Sequence, residues 1–187
     1  MAVPSTIAVL KHIAAAPVEV QMYFEHLPAL VKDFPWEVAI AYQFVRVERA
    51  QNRALYGGVV KLHRAHGEVA EPYLGSLYIT RESFLKHYAT VFGQALPAAT
   101  VSKLKFSEKV RDKTVHGKDV NEAAFRQAVV DVIDYAVLLN HQTQTIAQFK
   151  PFGDMRGFKG AKQPLEKTTT RWLLRGLLGP DAPVATA

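Results

Sequence analysis

Seven consecutive residues, Arg111-Asp112-Lys113-Thr114-Val115-His116-Gly117, bring together side chains that can act on a phosphodiester. An arginine guanidinium matches the paired oxygens of a phosphate and keeps its charge at any physiological pH. A histidine ring takes up and releases protons near neutrality, so it can serve as general base or general acid. Asp112, beside Arg111, can orient either partner. Such a set moves protons and stabilises developing charge with no metal ion. Five residues of helix rise about 7.5 Å and rotate about 140° past a full turn. Arg111 and His116 therefore do not stack as an i,i+4 pair would, and they meet only if the helix end tightens or something binds between them. The same residues also admit a plain structural role, with Arg111 in a surface ion pair to Glu108 or Asp112 and His116 closing a helix.

The elements around the heptapeptide are predicted to be helical. A helix begins at Pro97 to Thr100, carries Val101, Leu104, Val110 and Val115, and stops at Gly117, the residue type that best tolerates the left-handed turn after a helix. Asp119-Val-Asn-Glu122 fits a capping box for the next helix, whose wide apolar face runs through Phe125, Val129, Val132, Ala136 and Leu139. Upstream, Thr80 caps Arg81 to Phe92 and Gly93 ends it. Val18 to Phe34 shows apolar residues at three- and four-residue spacing, with a kink or break expected at Pro28. Pro35 suits the first turn of a long helix from Trp36 to about His66, loosened at Gly57-Gly58. Glu71 to Gly75, with Pro72, reads as a loop. Phe149 to Gln163 reads as a long, basic, glycine-rich loop, followed by Thr168 to Thr170 capping a short helix, Arg171 to Leu178, and by a frayed tail from Pro180. Leu77 to Ile79 is too short to count as a strand. The expected fold is all-α, a helical bundle of four to six helices. Its expected organisation is N-terminal helices over 1–75, a core over 76–150, and a basic loop, short helix and tail over 151–187.

Composition sets the outer limits. The chain has 187 residues, about half hydrophobic, and no cysteine. That excludes disulfides, thiolate nucleophiles and cysteine-based zinc sites. The apolar run Ile7 to Ala16 is split by Lys11 and His12 and lacks a basic leader, so it is not expected to be a signal peptide. No apolar stretch approaches the roughly 20 residues of a spanning helix. The expectation is a soluble, cytoplasmic protein with no membrane partner. The formal net charge is +6, which favours polyanionic partners. From His141 to Gly179 there are seven Lys or Arg against only Asp154 and Glu166. Lys103 to Lys118 holds six more, with Glu108 and Asp112 inside it and Asp119 just beyond. These segments are either a solvated basic surface or a contact for nucleic acid or phosphate.

An Arg-Asp-x-x-x-His motif closing one helix, then a glycine turn and a long apolar helix, resembles the HEPN superfamily. The resemblance spans roughly Thr80 to Phe149. It implies an all-helical domain of four to five helices and a homodimer whose two motifs face each other across a two-fold cleft. It also implies metal-independent RNA cleavage in active members, which occur among toxins, antiphage systems and RNA-processing factors. An antitoxin or operon-encoded protein partner is implied for some of these. Carried onto this chain, Arg111, Asp112 and His116 are the expected catalytic set. His116 would act as base on a ribose 2′-OH or as acid on the leaving 5′-oxygen, and Arg111 would stabilise the phosphorane-like state. The product would be a 2′,3′-cyclic phosphate. Lys113, Lys118, Lys159 and Lys162 are the expected RNA or phosphate contacts. No cofactor or metal is expected. The alternative is a non-catalytic dimeric module of the same kind that binds a nucleotide, RNA or a partner protein.

Other signals are weaker. His63 and His66 share a helix face, but apart from Glu68 no carboxylate or cysteine motif accompanies them, so a metal site there is not expected. No Walker, dinucleotide or Gly-x-Ser-x-Gly pattern is present. Tyr42, Phe44, Phe84, Tyr88, Phe92, Phe125 and Tyr135 fall at core spacing, while Tyr56 and Trp172 are not placed by the pattern.

Overall fold

A computed structural model describes residues 3–179. The described residues form nine α-helices and no strand. They are α1 (Thr6–Ala15), α2 (Val18–Tyr23), α3 (Leu27–Asp33), α4 (Trp36–Leu62), α5 (Gly67–Gly75), α6 (Arg81–Phe92), α7 (Ala98–Val115), α8 (Glu122–Ala147) and α9 (Lys167–Leu178). The fold is all-α as the periodicity predicts. The count exceeds four to six because the N-terminal segment is cut into three short helices and the expected loop at Glu71–Gly75 is itself helical. The predicted tail from Pro180 lies outside the described residues. Among the described residues no helix is long and apolar enough to cross a membrane.

The chain divides into two compact units. The first comprises the chain up to Glu48, Pro97–Gln142 and Phe152–Asp154. The second comprises Arg49–Leu96, Thr143–Pro151 and the chain from Met155 onward. The helices α4 and α8 each give residues to both.

In the first unit the N-terminal helices are set by their caps and prolines. Ser5 accepts a hydrogen bond from the Ala8 amide and starts α1. Pro28 occupies the first turn of α3, where its missing N–H is not needed. The break therefore falls before it, at Phe24–His26. Inward positions of α1 to α4, among them Val9, Ile13, Val20, Leu27, Ile40 and Phe44, are buried, as are Phe24 between α2 and α3 and Leu104, Val129, Val132, Tyr135 and Leu139 of α7 and α8. Gln43 is fully buried on α4, and its Nε2 donates to the Val129 carbonyl of α8 at 3.1 Å. Helix α8 is capped by Asn121, whose Oδ1 accepts from the Ala124 amide at 2.8 Å. The capping residue is thus Asn121 rather than Asp119, because the helix begins at Glu122 and only residue 121 stands one before it.

In the second unit α6 is bounded as predicted. Thr80 accepts from Ser83 N–H, and Gly93 ends the helix at φ +70. Phe84, Tyr88 and Phe92 stack along its buried face. Helix α5 contains Pro72, which removes one backbone donor. Burial of Ala70 and Leu74 and packing against α9 hold the helix together through that gap. Helix α9 starts at Lys167 after Glu166, with no side-chain cap, so Thr168 to Thr170 form its first turn instead of capping it.

Gly57 and Gly58 do not loosen α4. The helix runs through them unbroken. A Cβ at Gly57 would enter the Phe149 ring, and one at Gly58 would strike Val91 and Phe92. These glycines are required for close approach. Replacement of a helical glycine by alanine ordinarily gains up to about 1 kcal/mol. Overpacking a core costs about 1–3 kcal/mol. Gly57→Ala is therefore expected to lower stability by about 1 kcal/mol or more in urea denaturation. Gly176→Ala on α9, where a Cβ meets open space, should raise it. A stability gain at Gly57 would contradict the close-approach reading.

Candidate functional site

Helix α7 presents the heptapeptide, and its end is built by backbone hydrogen bonds. His116 is the C-cap and Gly117 follows at φ +64. The Lys118 amide donates to the Lys113 carbonyl at 2.8 Å and the Gly117 amide to the Thr114 carbonyl at 3.0 Å. This pair of bonds is a Schellman motif, and the left-handed residue it requires is the reason for glycine at 117. The cap fixes the direction in which the chain leaves His116. Buried Leu104, Ser107 and Val110 anchor the rest of the helix, and the Ser107 hydroxyl donates to the Ala128 carbonyl of α8 at 3.0 Å.

Arg111 is held on three sides. Its Nε and Nη2 donate to Asp112 Oδ1 at 3.1 and 2.8 Å. Its Nη1 lies 3.7 Å from Glu48 Oε1. The guanidinium carbon sits 4.6 Å from the centre of the Phe44 ring, a cation–π stack. The side chain closes an open groove of about 220 Å³ between α4 and α7, whose other walls include Ile40, Ala41, Val45 and Val115. Val45 and Val115 are exposed.

His116 is exposed and is not part of that groove. Among the described residues no hydrogen bond joins its ring to Arg111 or Asp112. The structure thus brings Arg111 and Asp112 together and leaves His116 facing solvent at the helix end. Lys113 and Lys118 are exposed on the same terminal turn. Glu48 and Phe44 are partners that sequence spacing did not indicate, since both come from a helix distant in the chain.

Lys159 and Lys162 belong to the second unit and are also exposed. The segment bearing them is tied down. Phe158 packs against Tyr56 and Phe149, and Lys61 lies 5.5 Å from its ring centre. Ala161 N–H donates to the Val60 carbonyl and Leu165 N–H to the Arg64 carbonyl. Arg64 Nε returns a bond to the Gln163 carbonyl at 2.8 Å. Gly160 is pressed on Val60, where a Cβ would collide. In the same unit His63 Nε2 meets the Val91 carbonyl at 2.7 Å, so the ring is spent on the backbone. Among the described residues no three His, Asp or Glu side chains gather as a possible metal-ligand set.

A second polar cluster lies in the first unit, with little trace in the linear pattern. Lys103 of α7 donates to Asp131 at 3.1 Å and to Asp134 at 2.8 Å, both on α8. His12 of α1 meets Asp134 at 2.8 Å, and Gln127 donates to Asp131. The hydrogen bond to Asp134 chiefly raises the Lys103 pKa, with the bond to Asp131 adding to it against the opposing effect of burial. The cluster cross-links α1, α7 and α8 beside a shallow groove walled by Ala16, Pro17 and Val137. Its only visible signature was the i,i+3 pair of aspartates within the otherwise apolar run 128–139 of α8.

No family model matches the chain, and no match was found among curated proteins or among solved structures.

Asp134→Asn removes the carboxylate shared by Lys103 and His12. It is expected to cost about 1 kcal/mol, the size of a partly exposed charge-assisted pair. Because Lys103 titrates above its ordinary value of 10.5, its contribution is complete at neutral pH and is lost as pH rises through the raised value. The gap in stability between wild type and Asp134→Asn should therefore narrow as pH rises above 10.5. A gap that stays constant into that range would show that Lys103 is not the partner that matters.

Proposed function

We propose that the chain is a metal-independent endoribonuclease of HEPN type, with Arg111 and His116 as its catalytic residues and Asp112 as the residue that positions Arg111. The observation that carries this reading is the end of α7. A Schellman cap presents an exposed imidazole one and a half turns beyond an arginine whose guanidinium is held in place, with exposed Lys113 and Lys118 alongside. A guanidinium has five N–H donors. Asp112 engages two of the Arg111 nitrogens through one carboxylate oxygen, and donors remain for the oxygens of a phosphate.

The chemistry follows from these groups. His116 takes the proton of a ribose 2′-OH as that oxygen attacks the adjacent phosphorus. The bond to the 5′-oxygen breaks, and that oxygen leaves with a proton from a general acid. Arg111 stabilises the added negative charge of the transition state. The products are a 2′,3′-cyclic phosphate and a 5′-hydroxyl. One chain offers one imidazole at this place, and the reaction needs both a base and an acid. A second copy supplying its own His116 across a two-fold axis meets that need. The reading therefore includes a homodimer, in a cytoplasmic setting and with a toxin, antiphage or RNA-processing role. Lys159 and Lys162 would add phosphate contacts.

A second reading is favoured by the engagement of Arg111 with Asp112, Glu48 and Phe44. A guanidinium so occupied suits a non-catalytic dimeric module that binds a nucleotide, RNA or a protein partner such as an antitoxin. Cleavage separates the two. Single-stranded RNA is incubated with the protein in EDTA, and products are resolved and tested for cyclic phosphate. His116→Ala, at an exposed cap, should fold normally and lose about 10²–10⁴-fold in rate. Arg111→Ala should lose a comparable factor. Activity that persists in both variants would sink the site assignment, and an inactive but RNA-binding wild type would favour the second reading.

A further inference from the structure

The second unit carries a surface that the chemistry at α7 does not use. Helix α9 buries Thr170, Leu174 and Leu178 and packs against α5 and α6. Its opposite side presents Trp172, 68% exposed. Arg175 lies with its guanidinium carbon 5.5 Å from the centre of the Trp172 ring system, and Arg171 is exposed next to it. In a helix the side chain at i+4 stands over the one at i. For Trp172 that position is Gly176, which has no side chain and open space where a Cβ would be. The indole thus has a guanidinium near it and no i+4 side chain leaning over it. The helix contains no carboxylate, and its one basic first-turn residue, Lys167, is already paired with Glu68 at 2.7 Å.

We propose that Trp172 is a stacking platform for an unpaired base of single-stranded RNA, with Arg171 and Arg175 holding the flanking phosphates. This deepens the ribonuclease reading and rests on it for the choice of polyanion. An exposed indole flanked by cations is the arrangement that holds single-stranded nucleic acid without reading its sequence. A membrane is a poorer fit, because the apolar side of α9 is already buried in its own unit and Trp172 is the one large exposed hydrophobic side chain on the helix. An acidic protein surface would satisfy the cations and leave the exposed indole without a flat partner.

The chain has two tryptophans, so Trp36→Phe makes Trp172 the sole indole reporter. That protein is titrated with a 2′-O-methyl oligoadenylate of about twelve nucleotides, a length within the range of such sites. This probe has no 2′-OH and cannot be cleaved by the proposed chemistry. Stacking should quench Trp172 emission, and added salt should weaken the binding. In the otherwise wild-type chain, followed by fluorescence anisotropy of a dye-labelled oligonucleotide, Trp172→Ala should weaken binding roughly tenfold. Trp172→Tyr should retain most of it. Gly176→Leu fills open space on an exposed helix face and should fold. By covering the indole it should abolish the quench in the Trp36→Phe background.

Binding without any change in Trp172 emission, or equal binding by Trp172→Ala, would overturn the proposal, as would no binding at all. A response to vesicles of phosphatidylglycerol but none to the oligonucleotide would overturn it in favour of a lipid surface. The two readings fail separately. Quenching by the oligonucleotide in a protein that does not cleave RNA leaves the platform standing and removes the nuclease. Cleavage unaffected in KM by Trp172→Ala does the reverse.

Discussion

A buried carboxamide ties together the point where the chain returns after α8. Asn140 sits on that helix with almost no exposure. Its Nδ2 donates to the Phe152 carbonyl at 2.9 Å and its Oδ1 accepts the Phe152 amide at 2.8 Å. Both backbone groups of one residue are thereby satisfied by one side chain, as burial requires. The Phe152 ring is then inserted fully into the first unit. It packs edge-on to Tyr23 and Tyr135 and stacks with Phe24. A single residue outside any helix thus joins α2, the Phe24 turn and α8. Without Asn140 the Phe152 peptide would be buried with unpaired groups, at a cost of about 1–3 kcal/mol for each.

That closure bears on the candidate site through α8. Tyr135 packs against Phe152, and the same helix offers the Val129 and Ala128 carbonyls to the side chains that hold α4 and α7. Gln43 reaches α8 from α4, and Ser107 reaches it from α7. Arg46, one turn beyond Gln43, donates to the Tyr23 carbonyl and stacks on the Tyr23 ring, while Tyr23 donates to the Arg46 carbonyl at 2.9 Å. Phe44 and Glu48 are therefore set on a helix locked at several points before they meet Arg111. The geometry of the guanidinium is decided by long-range packing, although the motif that contains it is local.

The difference between local and distant determinants explains what was legible in the sequence. Helix ends depend on a few adjacent residues. Thr80, Gly93 and Gly117 therefore marked α6 and the end of α7 correctly, and Pro28 marked a break. The all-helical class followed from period alone. Where the local signal misled, a distant residue was responsible. Gly57 and Gly58 read as weak points because their packing against Phe149 and Phe92 is invisible to spacing. Pro72 read as a loop because the burial that holds α5 through the missing hydrogen bond involves another helix. At the site, Arg111 beside Asp112 was legible. Glu48, Phe44 and the Lys103 cluster were not, since each joins helices far apart in the chain.

The carboxylates around Arg111 bear on whether that residue is spent or only held. Asp112 and Glu48 are 57% and 62% exposed, while Arg111 is 33% exposed. Exposed ion pairs contribute about 0–1 kcal/mol, because water competes and side-chain freedom is lost. A phosphate held by two charge-assisted bonds from a guanidinium gains more, on the order of 1.5–3 kcal/mol for each bond. Glu48, at 3.7 Å, is beyond hydrogen-bond length and is the weaker of the two contacts. Asp112 uses a single oxygen, which leaves further guanidinium donors unspent. Phe44 stacks against the guanidinium at no cost in donors. Energetically, the arrangement resembles a clamp kept in position by weak contacts more than one already closed on its partner.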